Sequence, residues 1–432
     1  IIAVSAPLVG KELFSLTTGT MYASYVMGSL LGPFLVAKLG LLRSLQSGLF
    51  SVCLYSVAFL SRSVWALVPA AICEGLGAAV LWTAQGVYMS RIAGQVAKHS
   101  QGGTTEQVVL KELSGFFASV FPLCLSVCKL SSSFILHEWS HDIAVSLVYS
   151  VYTGLSLAAF LGSLGLPVVE ATQAEPRVYS SLQLVGATAS LLSDPIMLLM
   201  VPTNLAFGFV TGFFPSVVTC CVSQAHGEQY VGLFYALSGI TGAAFSYVCS
   251  WITIRCAAGV SIAMSIGAAC FAVSSGLPFL GMNTFTEWPV LLLNFVLYGS
   301  GQAVWQGPTM ALFGAYWPCN PQAAYANLKL HSGLASTVAF FLFPHLKTQE
   351  AAACCLVAVV FGIAGYMATA VLVHRKSRRR CCDTLPDCIC KDEVKKRCIL
   401  HIEGRPNSSH SFMLTAASAT KLVRRNSDRR IF

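Results

Sequence analysis

Long apolar runs separated by short polar loops repeat along this chain from Leu13 to Val373. A helix crosses the roughly 30 Å hydrocarbon layer of a bilayer with about 20 apolar residues. Runs of that kind cover Leu13–Ala37, Ser44–Leu60, Val64–Met89, Leu113–Leu136 and Ile143–Leu166. After a longer polar connection come Ile196–Val218, Val231–Thr253, Cys256–Leu280, Pro289–Trp317, Asn327–Leu346 and Ala351–Val373. The pattern predicts an all-helical integral membrane protein with about eleven visible spans. Glycine and proline fall inside these runs, as at Gly28, Pro33, Gly299 and Pro308. Such residues would break a soluble helix; in a membrane bundle they allow close helix approach, and neighbours satisfy the freed backbone groups.

Composition agrees with the pattern: 55% of residues are hydrophobic and 10% charged. Soluble domains carry about 25% charged residues, so the composition argues against a large soluble enzyme and excludes a disordered or disulfide-scaffold chain. The net charge of +9 sits entirely beyond His374, because acidic and basic residues balance before it. Loop charges then predict orientation. Lys38, Arg43, Arg91, Lys98, Lys111, Arg177, Arg255, Lys329 and Arg375–Arg380 fall on one side if the spans alternate, against Lys11, Arg62 and Lys347 on the other. The basic side is expected to be the cytoplasm. The first full span then runs inward, which predicts one more span upstream of Ile1, twelve in all.

A repeat is visible within the spans. Gly75–Gly86 reads GLGAAVLWTAQG and Gly299–Gly307 reads GSGQAVWQG, which align with small gaps. With one span added at the start, these segments occupy the fourth and tenth places, equivalent positions in two six-helix halves. The predicted organisation is an N-terminal bundle over 1–166, a cytoplasmic linker over 167–195, a C-terminal bundle over 196–373 and a basic, cysteine-containing cytoplasmic tail over 374–432.

The run from Gly75 to Tyr88 resembles the fourth-span signature of the Unc-ninety-three family, the ion-channel-regulatory branch of the major facilitator superfamily. Ala303–Gln306, Ala311–Gly314 and Ala323–Asn327 resemble its tenth-span and following-loop pattern. The resemblance covers the chain from Leu13 to Val373; the tail resembles nothing further. Departures occur at Gln302 and near Ser332, where the family often carries acidic residues, and near Thr309 and Met310, where it carries amides. The loop Lys38-Leu-Gly-Leu-Leu-Arg43 keeps the glycine and bases of the general facilitator motif without its aspartate. The resemblance implies a major facilitator-type bundle and an auxiliary or trafficking role alongside a channel or receptor, more than a demonstrated transport cycle.

Ionisable residues inside spans are costly and face a cavity or a partner. Glu74 and Lys129 lie at similar expected depths. They read either as a structural interhelical pair, with Lys129 otherwise snorkelling outward, or as part of a polar, proton-linked cavity. Trp82, Gln85, Tyr88, Gln302, Trp305 and Gln306 are the next candidates, as packing between the halves or as a cavity lining. Lys329 and His331 read as interfacial anchors. The tail cysteines Cys381, Cys382, Cys388, Cys390 and Cys398 follow a polybasic exit. This arrangement suits palmitoylation and attraction to anionic lipid, or else the tail is unmodified and disordered. Zinc ligation is a poor match, because C-x2-C spacing is missing. No catalytic, cofactor-binding or metal motif is read, and lipid is a better partner for the basic tail than nucleic acid. The expected function is regulation or trafficking of another membrane protein, such as a potassium channel or receptor, in the plasma membrane or an endomembrane. The alternative is secondary transport of a small solute.

Overall fold

In lipid no water satisfies a bare backbone, so an apolar chain must close its hydrogen bonds within helices. The computed structural model describes residues 2–99, 106–169, 186, 188–256, 258–317 and 321–382, and these contain helices and connections with no strand. The N-terminal half holds α1 (Ile2–Val9), α2 (Lys11–Leu39), α3 (Leu41–Ser61), α4 (Val64–His99), α5 (Glu106–Glu138) and α6 (His141–Ser163). The C-terminal half holds α7 (Pro195–His226), α8 (Gln229–Arg255), α9 (Gly259–Gly276), α10 (Trp288–Gln306), α11 (Pro308–Tyr316), α12 (Pro321–Leu342) and α13 (Thr348–Cys382). Nine of the described helices are long and apolar enough to cross a membrane.

The helices differ from the predicted runs where local chemistry intervenes. The run Pro289–Trp317 is broken at Gly307-Pro308, because Pro308 donates no hydrogen bond and opens α11 as its first residue. The basic end of α4 extends past Met89 to His99, and α13 continues through the Arg375–Arg380 cluster to Cys382. Asp194 caps α7, accepting from the amides of Ile196 (2.8 Å) and Met197 (3.1 Å), with Pro195 at the first helical position. Within α7 a single wide turn, Phe214–Val218, follows the π pattern. The Thr219 hydroxyl donates to the Phe214 carbonyl there at 3.1 Å.

The two halves repeat one packing scheme. In the first, α4 lies against α2 and α3, and α3 against α6; in the second, α10 lies against α8 and α9, and α9 against α13. The duplicated glycines sit at the matching crossings. A methyl on Gly75 would overlap the Met21 carbonyl of α2, and one on Gly299 would overlap the Ser238 carbonyl of α8. Two residues on, Gly77 meets Ser51 of α3 and Gly301 meets the Phe271 ring of α9. Each Gly-x-Gly therefore seats one helix on two neighbours, the close approach that small residues allow in membrane bundles.

Two main seams, α2 with α12 and α5 with α8, join the halves, and α1 also lies against α7 and α8 and α4 against α12. We call the face carrying Lys38, Arg43 and Arg91 the basic face and its opposite the far face. Among the described residues, the hydrogen bonds and the ion pair that cross the seams lie toward the far face. The Ser15 hydroxyl donates to the Phe340 carbonyl at 2.8 Å, and Ser133 accepts from the Leu233 amide at 2.8 Å and donates to the Gln229 carbonyl. His141 approaches Glu228 at 3.1 Å across the same face. Phe340 also stacks on Tyr22, with centroids 5.2 Å apart.

Candidate functional site between the two halves

The span-embedded polar residues divide into those that stay within one half and those that reach across. Glu74 stays within the N-terminal half. It is buried on α4, and its Oε2 accepts from the Ser51 hydroxyl of α3 at 2.9 Å. Lys129, on α5, points away from it. Its ammonium lies 5.0 Å from the centre of the Tyr235 ring on α8, across the seam. The expected Glu74–Lys129 pair does not form. Gly77, a turn of α4 beyond Glu74, packs on Ser51 and so directs that side of α4 toward α3, whereas Lys129 lies on the seam.

Trp82 faces the other half. Phe117 and Phe121 of α5 meet its ring edge-on at 6.4 and 5.8 Å, and the Lys329 ammonium of α12 lies 5.3 Å from its centre. Lys329 is therefore an inter-half contact, although its position near a loop reads in the sequence as an anchor. Gly333, one turn along α12, meets Tyr25 of α2 and fixes this face of α12 toward the N-terminal half. His331 lies on the opposite side of α12 and is buried. Asn327, four residues before it, donates to the Thr188 carbonyl of the inter-half connection at 2.9 Å.

The glutamines do not meet across the halves. The Gln85 amide turns to the Met89 sulfur at 2.7 Å, and Gln306 is exposed at the end of α10. Gln302 donates to the Tyr298 hydroxyl one turn away at 2.7 Å, and the Tyr88 hydroxyl donates to the Pro167 carbonyl at 3.4 Å. Trp305 belongs to the C-terminal half: it stacks on Phe271 at 4.9 Å and donates from Nε1 to the Thr203 carbonyl of α7 at 2.9 Å. Beside it, Tyr298 stacks on Phe214 of the wide α7 turn at 3.6 Å. Of the lipidation candidates, Cys381 and Cys382 fall in the last turn of α13, while Cys388, Cys390 and Cys398 lie outside the described residues.

The family described as Ion channel regulatory protein UNC-93 matches residues 15–369. The chain belongs to the UNC-93 family. Among its relatives, the cattle (Bos taurus) Protein unc-93 homolog A is 26% identical over 369 residues, covering 74% of this chain and 78% of that protein. UNC93-like protein 3 of Arabidopsis thaliana is 25% identical over 365 residues, covering 79% of this chain and 76% of the relative. Solved structures place the fold among major facilitator transporters. The nucleoside transporter NupG (D323A mutant) aligns with a TM-score of 0.62 over 85% of this chain and 93% of its own, at 12% identity. The xylose transporter XylE from E. coli, in a partially occluded inward open conformation, aligns with a TM-score of 0.59 over 83% and 86%, at 14% identity. This UNC-93 chain is thus an integral multi-pass membrane protein of major facilitator type.

The duplicated glycines, Trp82 and Trp305 stand out in the sequence by the repeat they share. Tyr235, Tyr298 and Thr203 do not, because ordinary aromatic and hydroxyl residues abound in the spans. Only the crossing of helices distant in sequence brings Tyr235 to Lys129 and Thr203 to Trp305.

Proposed function

We propose that this chain is a regulatory or trafficking partner of another membrane protein, such as a potassium channel or a receptor, with its basic face and tail in the cytoplasm. The match to a family described as ion channel regulatory, over residues 15–369, carries this reading. The loop basic residues support the orientation. On that orientation the seams close on the non-cytoplasmic side. The tail cysteines beside Arg378–Arg380 are proposed to be acylated and held at anionic lipid. Proximity labelling and native co-purification, run alongside solute flux in reconstituted vesicles, test the function. A stable membrane partner without flux is the expected result; saturable flux by the isolated chain overturns it.

Secondary transport is the second reading. The observation favouring it is the asymmetric seam, tight at one face, in a chain whose fold matches transporters. Saturable flux would support it, and flux lost on tightening the basic face by cross-linking would tie it to rocking of the halves.

A further inference from the structure

At the basic face of the N-terminal half, beside the turn between α2 and α3, lies an open cavity of about 400 Å³. Gly40 makes that turn at a φ of 80°, which glycine adopts without strain, so α3 starts directly beside the end of α2. Arg43 stands in the first turn of α3 and Arg91 on α4, and both line the cavity together with Leu39, Gln46 and Val168. Two hydrogen bonds hold its far wall in place. Gln46 donates to the Ser163 carbonyl at the end of α6 at 3.5 Å, and the Tyr88 hydroxyl of α4 donates to the Pro167 carbonyl at 3.4 Å. No residue of the C-terminal bundle lines this cavity, so it is apart from the seams between the halves.

The lining selects an anion. No Asp or Glu occurs in the sequence between Glu12 and Glu74, and among the described residues no carboxylate pairs with Arg43. A guanidinium presents a planar fork of donors that matches the oxygens of a phosphate. The first turn of α3 carries no side-chain cap, and the positive end of the helix adds to the same attraction. The surroundings select an anion with a greasy body. Leu39 and Val168 on the cavity wall are exposed, as are Leu164 and Leu166 just before Val168. The cavity lies where the α2 and α3 spans end, the level at which headgroups meet hydrocarbon. A soluble phosphate would leave these apolar side chains uncovered, whereas a phospholipid sets its phosphate at the arginines and its acyl chain over Leu39 and Val168.

We propose that the cavity at Arg43 and Arg91 holds the phosphate-bearing headgroup of an anionic phospholipid from the leaflet at the basic face. The site is separate from the Arg378–Arg380 cluster of the tail. It concerns the isolated chain in lipid or detergent and depends on neither a partner protein nor solute flux.

The test titrates the full chain, purified in detergent, with phosphatidylglycerol and phosphatidylserine and counts retained lipids by native mass spectrometry. Phosphatidylcholine serves as the lipid without net charge and glycerol 3-phosphate as the soluble phosphate. At least one anionic lipid is expected to bind about fivefold or more tightly than phosphatidylcholine, and glycerol 3-phosphate far more weakly than either anionic lipid. One basic residue near a membrane surface accounts for about a fivefold change in affinity, so Arg43→Gln is expected to weaken the tightest site by about that factor. Val168→Glu, which sets a negative charge on the exposed cavity wall, is expected to weaken it similarly. The full chain carrying Arg378→Gln, Arg379→Gln and Arg380→Gln is expected to keep the tightest site within about twofold. If Arg43→Gln does not fold, Val168→Glu decides. Equal retention of anionic lipid and phosphatidylcholine overturns the proposal, as does glycerol 3-phosphate binding as tightly as the lipids. So do folded Arg43→Gln and Val168→Glu chains with unchanged retention, or loss of the tightest site in the tail variant alone.

Discussion

Glu74 lies buried in the membrane interior and accepts from the Ser51 hydroxyl, and among the described residues no cation pairs with it. A buried charge without a counter-charge is costly, so neutralising it at constant shape is expected to be harmless or stabilising. Glu74→Gln should leave the melting temperature of the purified protein unchanged or raised. A fall of several degrees would show that Glu74 is held as a charge by a cation. Trp305 sets the opposite case. Its Nε1 satisfies the Thr203 carbonyl in a buried position, so Trp305→Phe keeps most of the ring stack but removes the donor. A loss of about 1–3 kcal/mol is expected, read as a lower melting temperature with normal membrane insertion. His141 is exposed and Glu228 partly so, so His141→Ala should cost under about 1 kcal/mol despite its place at the closed face.

At the scale of helices, the repeated glycines carry the sharpest expectation. Gly75→Ala and Gly299→Ala each force a methyl into a neighbouring backbone carbonyl, which no side-chain rotation relieves. Overpacking of this kind costs about 1–3 kcal/mol, and both variants should show reduced monodisperse yield in size-exclusion chromatography. Gly86→Ala meets nothing and serves as the neutral control. The helices themselves were legible in the sequence because bilayer thickness imposes a length on every apolar run, and the repeat was legible because glycine spacing marks helix crossings. The break at Gly307-Pro308 was written there too, but an apolar run longer than a membrane span hides an internal stop. Side-chain direction was not legible. Glu74 and Lys129 match in depth, yet whether they face each other depends on the rotation of two helices, which hydropathy does not report. Lys329 was hidden for the same reason: a lysine near a loop looks the same whether it leans out to headgroups or in over Trp82.

For the whole molecule, the far-face seams imply unequal access to the interior. A cysteine placed at Gln85, compared with the unsubstituted chain, should react with a membrane-impermeant maleimide from the basic face and resist it from the far face. Equal labelling from both sides would contradict the closure described. Beside the Ser126 and Ser133 hydroxyls, the seam between α5 and α8 also sets main chain on main chain: Gly232 lies on the Lys129 carbonyl and Gly239 near the Pro122 carbonyl. Contacts of that sort have no rotamer to swing aside, and packed interfaces switch between discrete arrangements and do not deform continuously. Parting them would thus be an abrupt step with sparsely occupied intermediates, so that whatever reads this protein from the far side would sense a two-position latch and not a graded dial.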